Sequence, residues 1–106
     1  MACIFCEIVA KRAPATLVYE DDEILAFRDI QPQAPIHVLV VPKLHIATVN
    51  DLEEAHIPLM GKLFMVVKNL AAQWHIVEPG YRLRVHVGRG GGQVVDHIHM
   101  HLLSGR

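Results

Sequence analysis

The stretch Val95-Asp96-His97-Ile98-His99-Met100-His101-Leu102-Leu103 constrains the fold of this chain more than any other. Histidine alternates with an apolar residue over three cycles. On a strand, alternate side chains share a face, so His97, His99 and His101 line up together while Ile98, Met100 and Leu102 are left to face a core. On a helix, His99 would point nearly opposite to the other two imidazoles, and the apolar alternation would go unexplained. The pattern predicts a strand from about Asp96 to Leu103 with a histidine face.

That strand needs partners, and the rest of the sequence supplies them. Residues from Leu17 to Glu20 and from Ile24 to Asp29 read as two strands joined by the polar turn Glu20-Asp21-Asp22-Glu23, hence a hairpin. A proline-rich loop, IQPQAP, follows. His37–Pro42 (HVLVVP) is a β-branched run fit for a central, buried strand. From about Ala55 to His75 the period becomes helical, with Leu59, Leu63, Val66, Leu70 and Trp74 on one stripe. Pro58 suits the first turn of that helix, and Pro79-Gly80 mark its end. YRLRVHVG, from Tyr81, alternates again, with Arg82, Arg84 and His86 on its polar face. Near the N-terminus, IFCEIVAKRAPAT reads as a short helix and a turn at Pro14. No repeat or long linker divides the chain. The expectation is an α+β fold in one domain, residues 1–106, with a five-stranded, mainly antiparallel sheet, one long helix and a short N-terminal helix.

The totals narrow the function. A chain of 106 residues buries roughly 60–70% of its unfolded surface, enough for one core. A formal net charge of −1 gives no electrostatic case for binding nucleic acid polymers or anionic membranes. No apolar run approaches the ~18 residues of a membrane span, and the N-terminus lacks the basic region and long apolar stretch of a signal peptide. A cytoplasmic location is expected. There, in a reducing compartment, Cys3 and Cys6, a CxxC pair, are not expected to form a structural disulfide. No strand precedes them, as a thioredoxin-like motif would require. Half of a zinc site is the more interesting reading.

Three readings compete for the histidine strand: a solvated face with no role, a metal site, and catalysis in which one imidazole attacks while its neighbours orient it or move protons. The first is disfavoured, because three of the eight histidines fall within five residues. The loop ahead favours the third. Gly88, Gly90, Gly91 and Gly92 permit close backbone approach and free N–H groups for an anion. A glycine loop alone more often marks a plain turn; one feeding a histidine face suggests a phosphate held beside a nucleophile.

GGQVVDHIHMHLL resembles the signature of the histidine triad (HIT) family, and FRDIQPQAPIHVLVVPKLHI resembles the second block of its HINT-like, nucleoside phosphoramidase branch of bacterial type. The resemblance runs from about Ile4 to Arg106. It implies a HIT-like fold and a hydrolase or nucleotidyl transferase that cleaves a purine nucleoside monophosphate from an amine or acyl group through a nucleotidyl-histidine. On it, His99 is the nucleophile, His101 contacts the phosphate and leaving-group side, His97 stands behind the nucleophile, and His37 supports the triad from the next strand. Asp29 holds the ribose hydroxyls, Phe5, Ile8, Phe27, Ile30 and Leu39 form the base slot, and Gly92 with Gln93 meets the phosphate. A homodimer built on the long helix and the Tyr81 strand is implied, with no organic cofactor.

The family resemblance also implies structural Zn2+ held by Cys3, Cys6, His45 and His97. The chain departs from the HINT pattern at four points. His86 replaces an asparagine near the phosphate, Val94 replaces a serine that hydrogen-bonds phosphate or leaving group, Asp96 replaces an aromatic residue, and the chain stops at Ser104-Gly105-Arg106 without a longer tail. Losing a transition-state donor such as the serine can cost ~10²–10³ in rate. Two alternatives follow: a nucleotide-binding module with little catalysis, favoured by Val94 and His86, and a structural zinc protein whose histidines serve metal alone.

Overall fold

The computed structural model describes residues 3–105. Strands β1 (Leu17–Glu20), β2 (Ile24–Arg28), β3 (Ile36–Pro42), β4 (Arg82–Arg84) and β5 (Met100–Ser104) form one sheet in the order β1-β2-β3-β5-β4. Every neighbouring pair is antiparallel. Helix α1 (Ile4–Val9) and helix α2 (Ile57–Gln73) complete the fold, with three short 3-10 turns. The α+β architecture expected from the sequence is the one observed.

The two faces of the sheet are divided by strand alternation. Ile24, Ala26, Val38, Val40, Met100 and Leu102 point toward α2, where they meet Leu63, Val66, Val67, Leu70 and Ala71. Leu25, Phe27, Leu39 and Val41 point the other way and pack with Phe5 and Ile8 of α1. Both faces of β2 and β3 are therefore covered, which is why those strands read as continuous apolar runs. The expected helical stripe holds: Leu63, Val66 and Leu70 are buried, and Leu59 and Trp74 pack at its margins. Pro58 lies in the first turn of α2, where its missing N–H costs nothing.

Two strands are shorter than expected. The histidine segment becomes a strand only at Met100, because β3 ends at Pro42. Val40 pairs with Met100, and the next rung would need the N–H that Pro42 lacks. Residues 96–99 leave the ladder instead, and the Ile98 N–H donates to the Ile46 carbonyl at 2.6 Å. Likewise β4 covers only Arg82–Arg84 of the alternating run, and since β5 begins at Met100 it offers nothing for His86 and Val87 to pair with. The long helix begins at Ile57 rather than Ala55, following a 3-10 turn over Glu54–His56.

Candidate active site and metal centre

The row Phe27, Leu39, His101, Arg84 crosses β2, β3, β5 and β4 as successive register partners, so these side chains share one face of the sheet. It is the α1 face. Phe5 of α1 lies edge-on to the His97 ring at 5.9 Å between centroids and to the His99 ring at 5.1 Å. The histidines are thus covered by a second apolar layer. His97 is fully buried and His99 is 5% exposed.

Hydrogen bonds fix which nitrogen of each ring carries the proton. His99 Nδ1 lies 2.7 Å from the His97 carbonyl oxygen. A carbonyl only accepts, so Nδ1 is the protonated nitrogen and Nε2 keeps its lone pair. The Gln33 main-chain N–H donates to His37 Nδ1 at 3.1 Å, which places the His37 proton on Nε2. That nitrogen lies 2.9 Å from His101 Nδ1 and donates to it, leaving the His101 proton on Nε2. His97 Nε2 donates to the Pro42 carbonyl at 2.8 Å and frees Nδ1 as a lone-pair donor. One ring presents a nucleophilic nitrogen, one a donor N–H, and one a metal ligand.

The rings are held neutral. Burial is the largest cause lowering the affinity of His37, His97, His99 and His101 for a proton. For His101 the neighbouring rings of His99, His37 and His86 and the Arg84 cation add to burial, and its pKa falls to about 4. Asp29 opposes this at His37, its Oδ2 standing 3.4 Å from His37 Nε2. The other Asp29 oxygen caps the turn that follows by accepting the Gln31 N–H at 2.8 Å.

Four of the five expected base-slot residues, Phe5, Ile8, Phe27 and Leu39, pack in one cluster beside the histidines. Ile30 does not join them and is 92% exposed, because it sits past the end of β2 in the proline-rich loop. The glycine loop departs from expectation at three positions. The N–H groups of Gly91 and Gln93 bond the Gly88 carbonyl, and that of Gly92 bonds the Arg89 carbonyl. They are used within the loop and do not face an anion. Gln93 is a brace: its side-chain amide donates to Ala47 and Val95 carbonyls and accepts from the Gly88 N–H. Arg89 Nη1 also donates to the Gln93 carbonyl. Gly92 has φ +94°, and a Cβ there would stand 3.6 Å from the His86 ring. His86 in turn lies 5.3 Å from His101, ring centre to ring centre. Val94 is 78% exposed, on the rim of a hollow of about 330 Å³ bordered by Cys3, Ile4, His45, Arg89, Val95 and Asp96.

Cys3, Cys6, His45 and His97 converge at the other end of the histidine segment, their four donor atoms within 4.8 Å of one another. His97 Nδ1 is 3.5 Å from Cys3 Sγ, 3.6 Å from Cys6 Sγ and 3.2 Å from His45 Nδ1. Tetrahedral zinc with ordinary Zn–S and Zn–N bonds has ligand-to-ligand edges of about 3.4–3.8 Å, so the set fits that ion. Cys3 also caps α1, accepting the Cys6 N–H on its sulfur.

Two participants escaped the sequence reading. Gln33 acts through its backbone, which residue type does not reveal. On the polar face of its strand Arg84 reads as a surface cation, with a salt bridge the main expectation and a ligand role the lesser one. Among the described residues neither Arg82 nor Arg84 forms a salt bridge, and Arg84 Nη2 donates to Gln33 Oε1 at 2.9 Å. Its position two residues before His86 on the polar face of the strand was the available signal.

Comparison with known proteins follows this geometry. A family model described as "Scavenger mRNA decapping enzyme C-term binding" matches residues 2–106. The chain is 48% identical over 103 residues to the purine nucleoside phosphoramidase of Escherichia coli, covering 97% of this chain and 87% of that protein. It is 48% identical over 105 residues to a 14 kDa zinc-binding protein of Zea mays, covering 97% and 81%. The crystal structure of a HIT family hydrolase from Legionella pneumophila Philadelphia 1 superposes with a TM-score of 0.97 at 51% identity, over 99% of this chain and 94% of that one. With the triad running into β5, the sheet order and these matches in agreement, the chain belongs to the histidine triad family.

Proposed function

We propose that this chain is a nucleotide hydrolase that cleaves the P–N bond of purine nucleoside 5′-phosphoramidates, with His99 as nucleophile. The observation that carries the reading is the pair of fixed tautomers: His99 with a free Nε2 lone pair and His101 with an Nε2 proton, their ring centres 5.1 Å apart. Support also comes from the E. coli relative, which bears the name purine nucleoside phosphoramidase.

The base lies in the apolar slot of Phe5, Ile8, Phe27 and Leu39, with Ile30 closing over it from the loop, and Asp29 accepts from the ribose hydroxyls. The α-phosphate lies against Gly92, His86 and Val94, where the absent Cβ of Gly92 allows close approach and Gln93 holds the loop rigid. His99 Nε2 attacks phosphorus, and the P–N bond breaks as the amine takes the His101 Nε2 proton while a solvent proton replaces it, so that ring stays neutral. The nucleotidyl-histidine is then resolved by water, whose proton passes by way of His101 to solvent as its oxygen bonds phosphorus and the N–P bond breaks. The products are a nucleoside monophosphate and the free amine. During attack His99 gains positive charge, and the His97 carbonyl against its Nδ1–H stabilises it.

Cys3, Cys6, His45 and His97 would hold zinc as a structural ion. With all four positions filled by protein, it would have none to offer a reacting water. These four ligands would tie α1, and with it Phe5, to the histidine segment. The working form is a homodimer, consistent with apolar side chains left exposed on α2 and beside β4: Phe64, Met65, Val77, Leu83 and Val85. The second reading, a nucleotide-binding module with slow turnover, is favoured by Val94, which offers no hydroxyl to the leaving group.

The deciding experiment is hydrolysis of adenosine 5′-phosphoramidate by the wild type and by His99→Ala, with AMP binding measured on both. Turnover abolished by the substitution supports nucleotidyl transfer through His99. AMP binding without turnover in the wild type supports the second reading. Absence of both defeats the nucleotide assignment.

A further inference from the structure

Arg84 is an unusual cation. Arginine stays charged at any physiological pH, and this one has no carboxylate partner among the described residues. A single hydrogen bond, Nη2 to the neutral amide oxygen of Gln33, holds its guanidinium. Its Nε is buried with no acceptor at all. A buried donor left unpaired costs free energy and calls for an explanation.

Its place on the sheet supplies one. Arg84 is the register partner of His101, and His101 is the register partner of Leu39. Across the face the order is therefore apolar slot, His101, Arg84. With the nucleoside on the Phe27–Leu39 side of His101, a leaving group that takes the His101 proton has the opposite, Arg84 side left to it. We propose that Arg84 recognises an oxyanion on the leaving group, so that the substrates turned over best are nucleoside phosphoramidates whose amine bears a carboxylate or phosphate. This rests on the phosphoramidase reading and names the substrate class within it. A guanidinium fork donates two parallel hydrogen bonds to an oxyanion, which would satisfy Nε and displace a weaker bond to Gln33.

The test compares kcat/KM for matched pairs of adenosine 5′-phosphoramidates: N-linked glycine against glycinamide, and N-linked phosphoethanolamine against ethanolamine. The first pair probes carboxylate and the second phosphate. The wild type should favour the anionic member of at least one pair. Arg84→Gln should reduce that anionic-to-neutral ratio by about 10–100-fold, as expected for charge-assisted hydrogen bonds, and Arg84→Lys should retain part of it. An unchanged ratio overturns the proposal, even where both rates fall together, since Arg84 would then only position His101 or meet a second copy of the chain. If the wild type cleaves none of the four, the phosphoramidase reading fails. The affinity ratio of ADP to AMP then decides: a preference for ADP lost in Arg84→Gln sustains the anion site, and no such preference overturns it.

Discussion

His37 Nε2 stands 2.9 Å from His101 Nδ1, and the far side of the His37 ring accepts the Gln33 N–H at 3.1 Å. A main-chain donor in the proline-rich loop thereby dictates, through two rings, that His101 points a proton into the site. His37→Leu removes the relay and leaves His101 Nδ1 without a donor, free to take the wrong tautomer. Hydrolysis of adenosine 5′-phosphoramidate should fall on the order of 10²-fold, the scale of misplacing a general acid. His37→Gln, whose amide can still donate, should lose less. Equal losses in the two variants would argue against tautomer control.

The pH dependence has a defined sign. The pKa of His101 is lowered from its ordinary 6.5 to about 4, and burial lowers that of His37 as well. Both rings stay neutral in mildly acidic solution, so the acid limb of kcat/KM should lie well below pH 6.5. Stability follows the same linkage. The unfolded chain binds more protons between the two pKa values, so the contribution of the neutral rings is complete above pH 6.5 and is lost as pH falls toward 4. Urea midpoints measured from pH 7.5 to 4 should decline over that window. An acid limb at the unperturbed histidine value would contradict the buried, neutral arrangement.

The alternation of histidine with apolar residues was enough to place Met100 and Leu102 in the core and to turn His99 and His101 to the opposite face. The family resemblance, not the alternation, named the CxxC pair as partners for His97, and the geometry supports that grouping. What it could not give was where the strand begins. That boundary is set by Pro42 on a different strand, a non-local term invisible to periodicity. The glycine loop shows a related limit. Composition tells that N–H groups can turn toward an anion, but whether they do depends on loop closure, and here Gly91, Gly92 and Gln93 close the loop on itself. Arg84 looked like one more surface charge until register placed it beside His101.

Metal removal should be felt as lost stability before lost chemistry. Zinc bound only to the folded chain stabilises it by about 2.7 kcal/mol when free metal is a hundred times the Kd. Chelation, or Cys6→Ser, should therefore lower the thermal midpoint and abolish binding of one Zn2+ per chain, measured by atomic absorption. His97 Nε2 keeps its bond to Pro42 in either case, so His99 retains its acceptor and residual turnover should persist at low temperature. A chain that binds no zinc, or whose midpoint ignores chelation, would remove the structural role assigned to Cys3, Cys6, His45 and His97.

The two faces of β5 can be separated by a single substitution. Leu102 follows His101 directly, yet it points to α2, is fully buried, and pairs with Val38 and Leu83. Leu102→Ala removes apolar contact and leaves a cavity among Val38, Val40, Leu63 and Leu70, at about 2–5 kcal/mol. That is a large share of the ~5–15 kcal/mol that holds such domains folded, and the midpoint should fall by on the order of 10–20 °C. Leu102→Met, which nearly conserves volume, should cost less than about 1.5 kcal/mol. At 25 °C the folded fraction of Leu102→Ala should keep kcat/KM within a few fold, since the histidine face, its tautomers and the Phe5 cover lie across the sheet. A collapse of kcat/KM in protein shown to be folded by circular dichroism would mean that the α2 core and the histidine face are mechanically coupled through β5, and that the active geometry depends on packing from both sides.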